Sequence, residues 1–222
     1  MTEKMDRRKA RTRALLHKAL VEVLEEKGAT RITVSDIVEK AELNRSTFYL
    51  HYTDAIDLLE RVKADIWTGL TERMKNLNPY NYLSYAVRNE PDPALVKVIE
   101  YYGEHADFFK VILGPNGDPA FAARIKDFLK DHHLSKILDS RPDLADTIVP
   151  KDYMIAYFAA SNLSIVLNWI ETGMQQTPRT IALMITSILS SGMNQLYGIS
   201  PTMRSEPVVE RFSSPLSHGP TT

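Results

Sequence analysis

Cysteine is absent from the 222-residue sequence. This absence excludes a disulfide framework, a thiolate metal site and a cysteine nucleophile, and it fits a reducing compartment such as the cytoplasm. Phosphate-cradling glycine loops and the G-x-S-x-G turn of acyl-transfer enzymes are missing as well. The six histidines lack metal-ligand spacing, because no two of them flank a glutamate at i, i+4. We therefore expect no enzymatic activity, no catalytic residue, no bound metal and no cofactor.

A long apolar segment is missing too. The opening residues, MTEKMDRRKARTR, are too polar for the core of a signal peptide, and no stretch of about 18 residues is free of polar groups. The sequence thus predicts a soluble, cytoplasmic protein that has no membrane partner.

Charge is unevenly distributed along the chain, although the net charge is only −1. Residues 1–53 carry 11 Lys and Arg against 8 Asp and Glu, and 7 of these basic residues lie within residues 1–18. A basic N-terminal arm can bind nucleic-acid phosphates while an acidic remainder limits nonspecific binding. A charge run is more often a solvated helix face, so charge alone does not decide between these interpretations.

Apolar residues recur at helical spacing along most of the chain, and no segment shows the alternation of a strand. The sequence therefore predicts an all-α fold. The first helix carries an apolar face that starts at Leu15 and Leu16, and Gly28 is expected to end it. Thr33 is the expected N-cap of a short second helix, because Asp36 completes a capping box three residues later.

Asn44 is the expected N-cap of a third helix, which should run from Arg45 to about His51. A short turn joins the second and third helices, as in a helix-turn-helix, where the third helix enters the major groove of DNA. Phe48 has the spacing of a buried residue, and polar side chains that can bind phosphates or base edges occupy the other faces. From the pattern alone, a capped surface helix is an equally good interpretation.

The sequence stays helical beyond these three elements. Asp54 is expected to cap a long fourth helix whose apolar positions begin at Ile56. We expect residues 1–53 to form a three-helix domain and residues 54–198 to form a larger helical domain; the family resemblance described next implies that the first binds DNA and that the second serves sensing and dimerisation. Residues 199–222 are rich in Pro, Ser and Thr without apolar periodicity, which predicts a disordered tail.

Two stretches of the N-terminal region resemble the DNA-binding signature of TetR-type (TetR/AcrR) regulators. They are Ile32–Val38, with the sequence ITVSDIV, and Asn44–Tyr52, with the sequence NRSTFYLHY. The similarity covers about residues 8–62. The segment from Ala106 to about Leu129 is similar to one C-terminal class of the same family. The resemblance implies a transcriptional repressor that binds double-stranded DNA at a palindromic operator.

Position by position, the resemblance implies two groups of DNA contacts. The residues implied to bind phosphates are Thr33, Tyr49 and His51. The residues implied to contact base edges are Ser35, Arg45, Ser46 and Thr47. The family often has Gly where this chain has Glu42, which must adopt a left-handed conformation or change the turn. It usually has Lys where this chain has Ala55, and the basic arm through Arg7, Arg8 and Arg11 is expected to compensate for that lost phosphate contact.

Two long apolar helices are expected to close the ordered chain, over about residues 151–172 and 178–197. In the family the last two helices of each subunit meet their symmetry mates in a four-helix bundle, so the resemblance implies a homodimer through these helices. Paired modules are also what a helix-turn-helix protein needs to span successive major grooves. An ordinary buried helical hairpin is the alternative.

Aromatic and polar side chains beyond the first three helices are candidate walls of an effector pocket. These candidates are Trp67, Tyr101, Tyr102, Phe109, Tyr153, Tyr157, Asn162 and Trp169. Aromatic residues at helical spacing more often pack in a core than bind a ligand. The resemblance implies an effector but does not identify it. The alternative is the same fold acting through a protein partner or as a co-activator, which a filled core with an exposed apolar patch would favour.

Overall fold

The computed structural model describes residues 2–78, 84–85, 88–131 and 149–196, and it describes their side chains except at 2–6, 151 and 190–196. The tail expected at 199–222 lies outside these residues. Within them the chain forms helices and no strand, which confirms the all-α prediction. The helices are α1 Thr2–Lys27, α2 Val34–Lys40, α3 Arg45–Tyr49, α4 Ala55–Met74, α5 Pro93–Glu104, α6 Ala106–Ile112, α7 Pro119–Leu129, α8 Lys151–Glu171 and α9 Pro178–Leu196.

The first three helices pack around a small core of their own. Leu16 and Leu20 of α1, Ile37 of α2 and Phe48 of α3 are all fully buried. Gly28 ends α1 with a φ of 76°, and its N–H donates to the carbonyl of Leu24 at 2.8 Å. That left-handed φ is accessible to glycine at little cost, so the end of α1 follows from the sequence.

Side-chain caps begin α2, α3 and α4, as the sequence predicted. Each cap accepts a hydrogen bond from the backbone N–H three residues later, at 3.3 Å for Thr33, 2.9 Å for Asn44 and 2.7 Å for Asp54. A cap of this kind contributes about 1 kcal/mol to helix stability. The three caps therefore fix where each of these helices starts.

Three details of the expected helices differ in the structure. The third helix ends at Tyr49, because the N–H of His51 turns back to the carbonyl of Phe48 at 2.9 Å and closes the last turn. Leu15 is 39% exposed and Ile56 is 51% exposed. Each lies beside a fully or almost fully buried neighbour in the chain, and a rotation of about 100° per residue carries it out of the buried face.

The remaining helices build the C-terminal unit on α4. The helices α5 and α7 begin with Pro93 and Pro119, and the preceding residues Asp92 and Asp118 cap them. One continuous group of buried side chains extends from α1 through α4 to α9. The two expected domains are thus joined by a shared core, and the boundary between residues 53 and 54 stays a prediction.

The loop between α6 and α7 joins the two ends of this core. The N–H of Ala29, just after α1, donates to the carbonyl of Asn116 at 3.2 Å. Lys63 of α4 lies 2.6 Å from the carboxylate of Asp118, and the side chains are only 15% and 20% exposed. The loop therefore holds both the end of α1 and the middle of α4.

Among the described helices, α8 is the one long and apolar enough to cross a membrane by length and composition. This is weak evidence, because core helices of proteins without a membrane pass the same test. Its residues Met154, Phe158, Ala159 and Val166 are almost completely buried against the rest of the chain.

Candidate nucleic-acid interface

The turn between α2 and α3 sets the position of α3. Glu42 adopts a φ of 53°, and the N–H of Leu43 donates to the carbonyl of Val38 at 2.9 Å. The sequence left open whether Glu42 is left-handed or the turn is different. Glu42 is left-handed, in the position where the family often has Gly. Phe48 anchors α3 by inserting its fully buried ring into the three-helix core.

The four residues expected to contact bases lie together at the start of α2 and α3. Arg45 Nη2 donates a hydrogen bond to Ser35 Oγ at 2.6 Å. The hydroxyls of Ser46 and Thr47 each donate to Asn44 Oδ1 at 2.7 Å. These contacts hold the side chains in place before any ligand binds, and the guanidinium of Arg45 keeps further N–H groups for a bidentate contact to guanine.

The three residues expected to bind phosphates lie at the edges of the same surface. Thr33 precedes α2, where its hydroxyl donates to Asp36 Oδ2 at 2.8 Å. The ammonium of Lys27, 2.7 Å from the Asp36 carboxylate, and the Thr33 hydroxyl hold the pKa of Asp36 below its usual value. Tyr49 is 56% exposed at the end of α3, and His51 is half-buried just beyond it. The structure thus brings Ser35 and Arg45 into direct contact, while Tyr49 and His51 lie at the end of α3 and just beyond it.

The N-terminal half of α1 adds positive charge next to His51. Burial lowers the pKa of His51, and the positive charges of Arg13 and Lys9 lower it further. A hydrogen bond of 3.0 Å between His17 Nε2 and the hydroxyl of Tyr52 ties α1 to the segment after α3. The described part of the basic arm is helical. Its residues Lys9 and Arg13 place positive charge near His51, just beyond α3.

Sequence reasoning missed Leu50 at this surface. Leu50 is 82% exposed directly after α3, and an exposed apolar side chain can contact the methyl group of thymine. Its signal was the apolar residue inside an otherwise polar stretch. Lys9 and Arg13 were included in the basic run, but only the fold places their charges beside His51. Ala55, where the family usually has Lys, is 5% exposed and lies in the core.

The eight candidate pocket residues do not line one cavity. Tyr102 and Asn162 share a small space of about 30 Å³ among apolar side chains of α4, α5, α7, α8 and α9. The hydroxyl of Tyr101 donates a hydrogen bond to the carbonyl of Ile66 at 3.2 Å. Trp169 donates Nε1–H to the carbonyl of Gln176 at 2.8 Å.

The other four candidates have different surroundings. Phe109 is fully buried, with its ring centroid 4.4 Å from that of Tyr102. Trp67 packs edge-to-face on Phe128 at 5.6 Å. Tyr153 and Tyr157 of α8 point to solvent and are 71% and 61% exposed. Within the described part of the chain, no group of three or more His, Cys, Asp or Glu side chains is placed to hold a metal.

Two family models match the chain. Residues 16–62 match "Bacterial regulatory proteins, tetR family", which spans the end of the basic arm, α2 and α3. Residues 89–191 match "Transcriptional regulator C-terminal region". The uncharacterized HTH-type transcriptional regulator YxbF of Bacillus subtilis (strain 168) is 23% identical over 177 residues, which are 80% of this chain and 44% of that protein. The chain therefore spans less than half of that curated relative.

Solved structures with the same fold include three regulators. The dihydroxyacetone kinase operon activator DhaS is 19% identical with a TM-score of 0.50, over 83% of this chain and 97% of its own. A TetR transcriptional regulator from Streptococcus agalactiae 2603V is 19% identical with a TM-score of 0.51, over 85% and 99%. The fatty acid degradation regulator FadR from Bacillus halodurans is 14% identical with a TM-score of 0.52, over 82% and 96%. These structures share the fold; together with the helix-turn-helix geometry, the two family-model matches show that the chain belongs to the TetR family of DNA-binding transcriptional regulators.

Proposed function

We propose that the chain binds a palindromic operator through α3, as a homodimer held together by α8 and α9. The observation that carries this proposal is the polar face of α3, where Arg45 is already held by Ser35 at 2.6 Å and Phe48 is buried on the opposite side. In this arrangement Ser35, Arg45, Ser46 and Thr47 contact base edges. The second group, Thr33, Tyr49 and His51, binds phosphates at the two edges of the face.

Dimerisation is supported by apolar side chains that the protomer leaves exposed on its last two helices. Tyr153 and Tyr157 on α8 are 71% and 61% exposed, and Ile188 on α9 is 43% exposed. Ile185, one turn earlier on α9, is 2% exposed and belongs to the protomer core instead. Exposed apolar side chains on adjacent helices are typical of an interface.

The experiment begins by selecting operator fragments from genomic DNA with the purified full-length protein. The Arg45→Ala variant should bind the selected operator about 5- to 150-fold more weakly and with a relaxed base preference, because a bidentate contact to guanine contributes about 1–3 kcal/mol. Arg179→Ala is the matched control, because Arg179 is an exposed arginine at the start of α9. Wild-type affinity and base preference in the Arg45→Ala variant would exclude α3 as the reading element.

We further propose that the protein is a cytoplasmic repressor whose operator affinity changes when an effector binds in the C-terminal unit. A dimer on a promoter excludes polymerase from the DNA that it covers, and the space lined by Tyr102 and Asn162 offers an effector two polar side chains among apolar walls. A reporter placed behind the selected operator should be expressed more strongly when the gene for this protein is deleted. Lower expression in the deletion strain would instead indicate an activator, the role that the printed name of DhaS gives to that protein.

The size of that space favours a second candidate function, in which a protein partner replaces the small-molecule effector. A cavity of about 30 Å³ holds little more than one water molecule, whereas ligand pockets measure about 300–1,000 Å³. An effector would have to expand the core, whereas a partner protein would bind the outer surface of the C-terminal unit and leave the core filled. Mass photometry of the protein purified from its own cells distinguishes the two, because only a partner adds mass to the dimer.

A further inference from the structure

A groove of about 750 Å³ lies where the DNA-reading unit meets the C-terminal unit, between α1, α4, α5 and α6. We call it the junction groove. Its volume is within the range of small-molecule sites, about 300–1,000 Å³. It shares no lining residue with the small cavity beside Tyr102 and Asn162. The junction groove is therefore a separate candidate site.

The walls of the junction groove combine an apolar floor with acidic edges. Val62, Ile66 and Phe108 form part of the floor and are at most 7% exposed. Five carboxylates and a single lysine line the groove. Two of the carboxylates already have a basic neighbour, since Glu22 lies 3.9 Å from Lys18 and Glu25 lies 3.1 Å from Lys110.

The other three carboxylates have no ionic partner within the part of the chain that the structure describes. They are Asp65 of α4, Glu104 of α5 and Asp107 of α6. Burial lowers the pKa of both His17 and His105, so these two imidazoles add little positive charge to the groove at neutral pH. Among the described residues, three helices thus place carboxylates that have no ion-pair partner within 4 Å around an apolar floor, and the nearby guanidinium of Arg73 lies instead over the ring of Tyr101, at 4.1 Å.

We propose that the junction groove binds a small amphiphilic cation, with its apolar body on the floor and its ammonium among Asp65, Glu104 and Asp107. Charge complementarity selects this occupant, because an anion would be repelled and a neutral body would gain no attraction from the three carboxylates. The chain's own residues 197–222 fit less well, since their two arginines are balanced by two glutamates. A bound cation would contact α1 together with α4–α6, and its effect on DNA affinity rests on the proposed function.

The test is calorimetric titration of the full-length protein without DNA, using three probes that share an eight-carbon chain. Octyltrimethylammonium should bind once per protomer and about 10-fold or more tighter than 1-octanol, while octyl sulfate should not bind. Raising the salt concentration from about 0.05 M to about 0.5 M should weaken binding of the cation, because salt screens the attraction of exposed carboxylates. Equal affinity for octanol, or no heat from the cation up to millimolar concentration, would overturn the proposal.

Substitutions in the junction groove test whether the cation binds there. A triple variant with Asp65→Asn, Glu104→Gln and Asp107→Asn neutralises the three unpaired carboxylates. Its affinity for octyltrimethylammonium should be about 10- to 100-fold lower than that of the wild type. Glu171→Gln, an exposed position on α8, is the matched control and should bind as wild type does. Ala14→Trp places a large side chain in the groove and should reduce binding without changing charge. Loss of binding in the control as well would show nonspecific attraction and contradict the assignment.

Two further measurements separate the remaining interpretations. If residues 197–222 occupy the groove, replacing Arg204 and Arg211 by alanine in the full-length chain should raise the affinity for octyltrimethylammonium, and that result would overturn the proposal. An unchanged affinity supports it. Operator affinity is then measured with and without saturating octyltrimethylammonium. Failure of the inference appears as no cation binding to the free protein, whereas failure of the proposed function appears as no operator binding by the cation-free protein.

Discussion

Glu42 carries the most evident local strain near the DNA-reading surface. Its φ of 53° lies in the left-handed region, which costs a residue with a Cβ about 1–2 kcal/mol. The strain is retained because the turn at Glu42 sets the direction of α3, while Phe48 holds the helix in the core. A replacement that relieves the strain without moving α3 should therefore stabilise the protein.

The Glu42→Gly variant should be about 0.5–1 kcal/mol more stable than wild type, because the gain in left-handed freedom exceeds the entropy that glycine loses on folding. Urea denaturation followed by circular dichroism measures the difference. Glu39→Gly, at an exposed helical position three residues earlier, is the matched control and should lose about 0.5–1 kcal/mol. A loss of stability in both variants would show that the turn is not strained.

Single residues also show how far the candidate site could be predicted. The starts of α2 and α3, which place Ser35 and Arg45 in contact, follow from two caps, Thr33 and Asn44, which are readable in the sequence. The candidate pocket residues lie in different surroundings instead. Helical spacing predicts the face on which an aromatic residue lies, but it does not predict which helix covers that face. Thus Tyr102 is buried while Tyr157, with a similar apolar setting in the sequence, is 61% exposed.

Helices and their ends were largely predictable, because caps, prolines and Gly28 act within a few residues. The expected starts of α2, α3 and α4 agree with the structure. Exposure of Ile56 was not predictable, because it depends on how α4 is rotated against α1. The contacts of the α6–α7 loop were not predictable either, since Lys63 and Asp118 are far apart in the chain and only the fold brings them to 2.6 Å.

The Lys63–Asp118 pair is the element-scale connection between α4 and the α6–α7 loop. A double-mutant cycle with Lys63→Met and Asp118→Asn should give a coupling energy of about 1 kcal/mol, because both side chains are mostly buried. Asparagine keeps the cap of α7 while it removes the charge. The pair Arg88 and Glu90, whose side chains are 52% and 53% exposed at a distance of 3.2 Å, serves as the control and should show less coupling.

This coupling should depend on pH in a defined direction. The ammonium of Lys63 holds the pKa of Asp118 below its usual value of 3.8. A depressed carboxyl pKa contributes stability that is complete above the unfolded-state pKa and is lost as the pH falls through the folded-state pKa. The coupling measured at neutral pH should therefore disappear in strongly acidic solution. A coupling that is already lost at pH 6 would contradict the ion pair as its source.

The whole molecule needs two DNA-reading units at a fixed separation. Successive major grooves on one face of DNA are about 34 Å apart, so a protomer alone contacts only half of a palindromic operator. The helix α4 has 20 residues and is about 30 Å long at 1.5 Å per residue. It begins beside α3 and reaches into the C-terminal unit, so the geometry of the dimer interface determines where each α3 lies.

Ile188→Asp should separate the dimer without unfolding the protomer, because Ile188 is 43% exposed and the introduced charge remains hydrated in the free protomer. Ile185→Asp should unfold the C-terminal unit instead, since Ile185 is 2% exposed. Light scattering and circular dichroism distinguish the two results. The Ile188→Asp protomer should retain its helical spectrum and an unchanged α3, yet bind the operator at least about 100-fold more weakly, because the second half-site no longer benefits from the high local concentration that linkage provides. A helical monomer with wild-type operator affinity would refute the dimer as the DNA-binding form. A variant that remains dimeric would place the interface away from this face of α9.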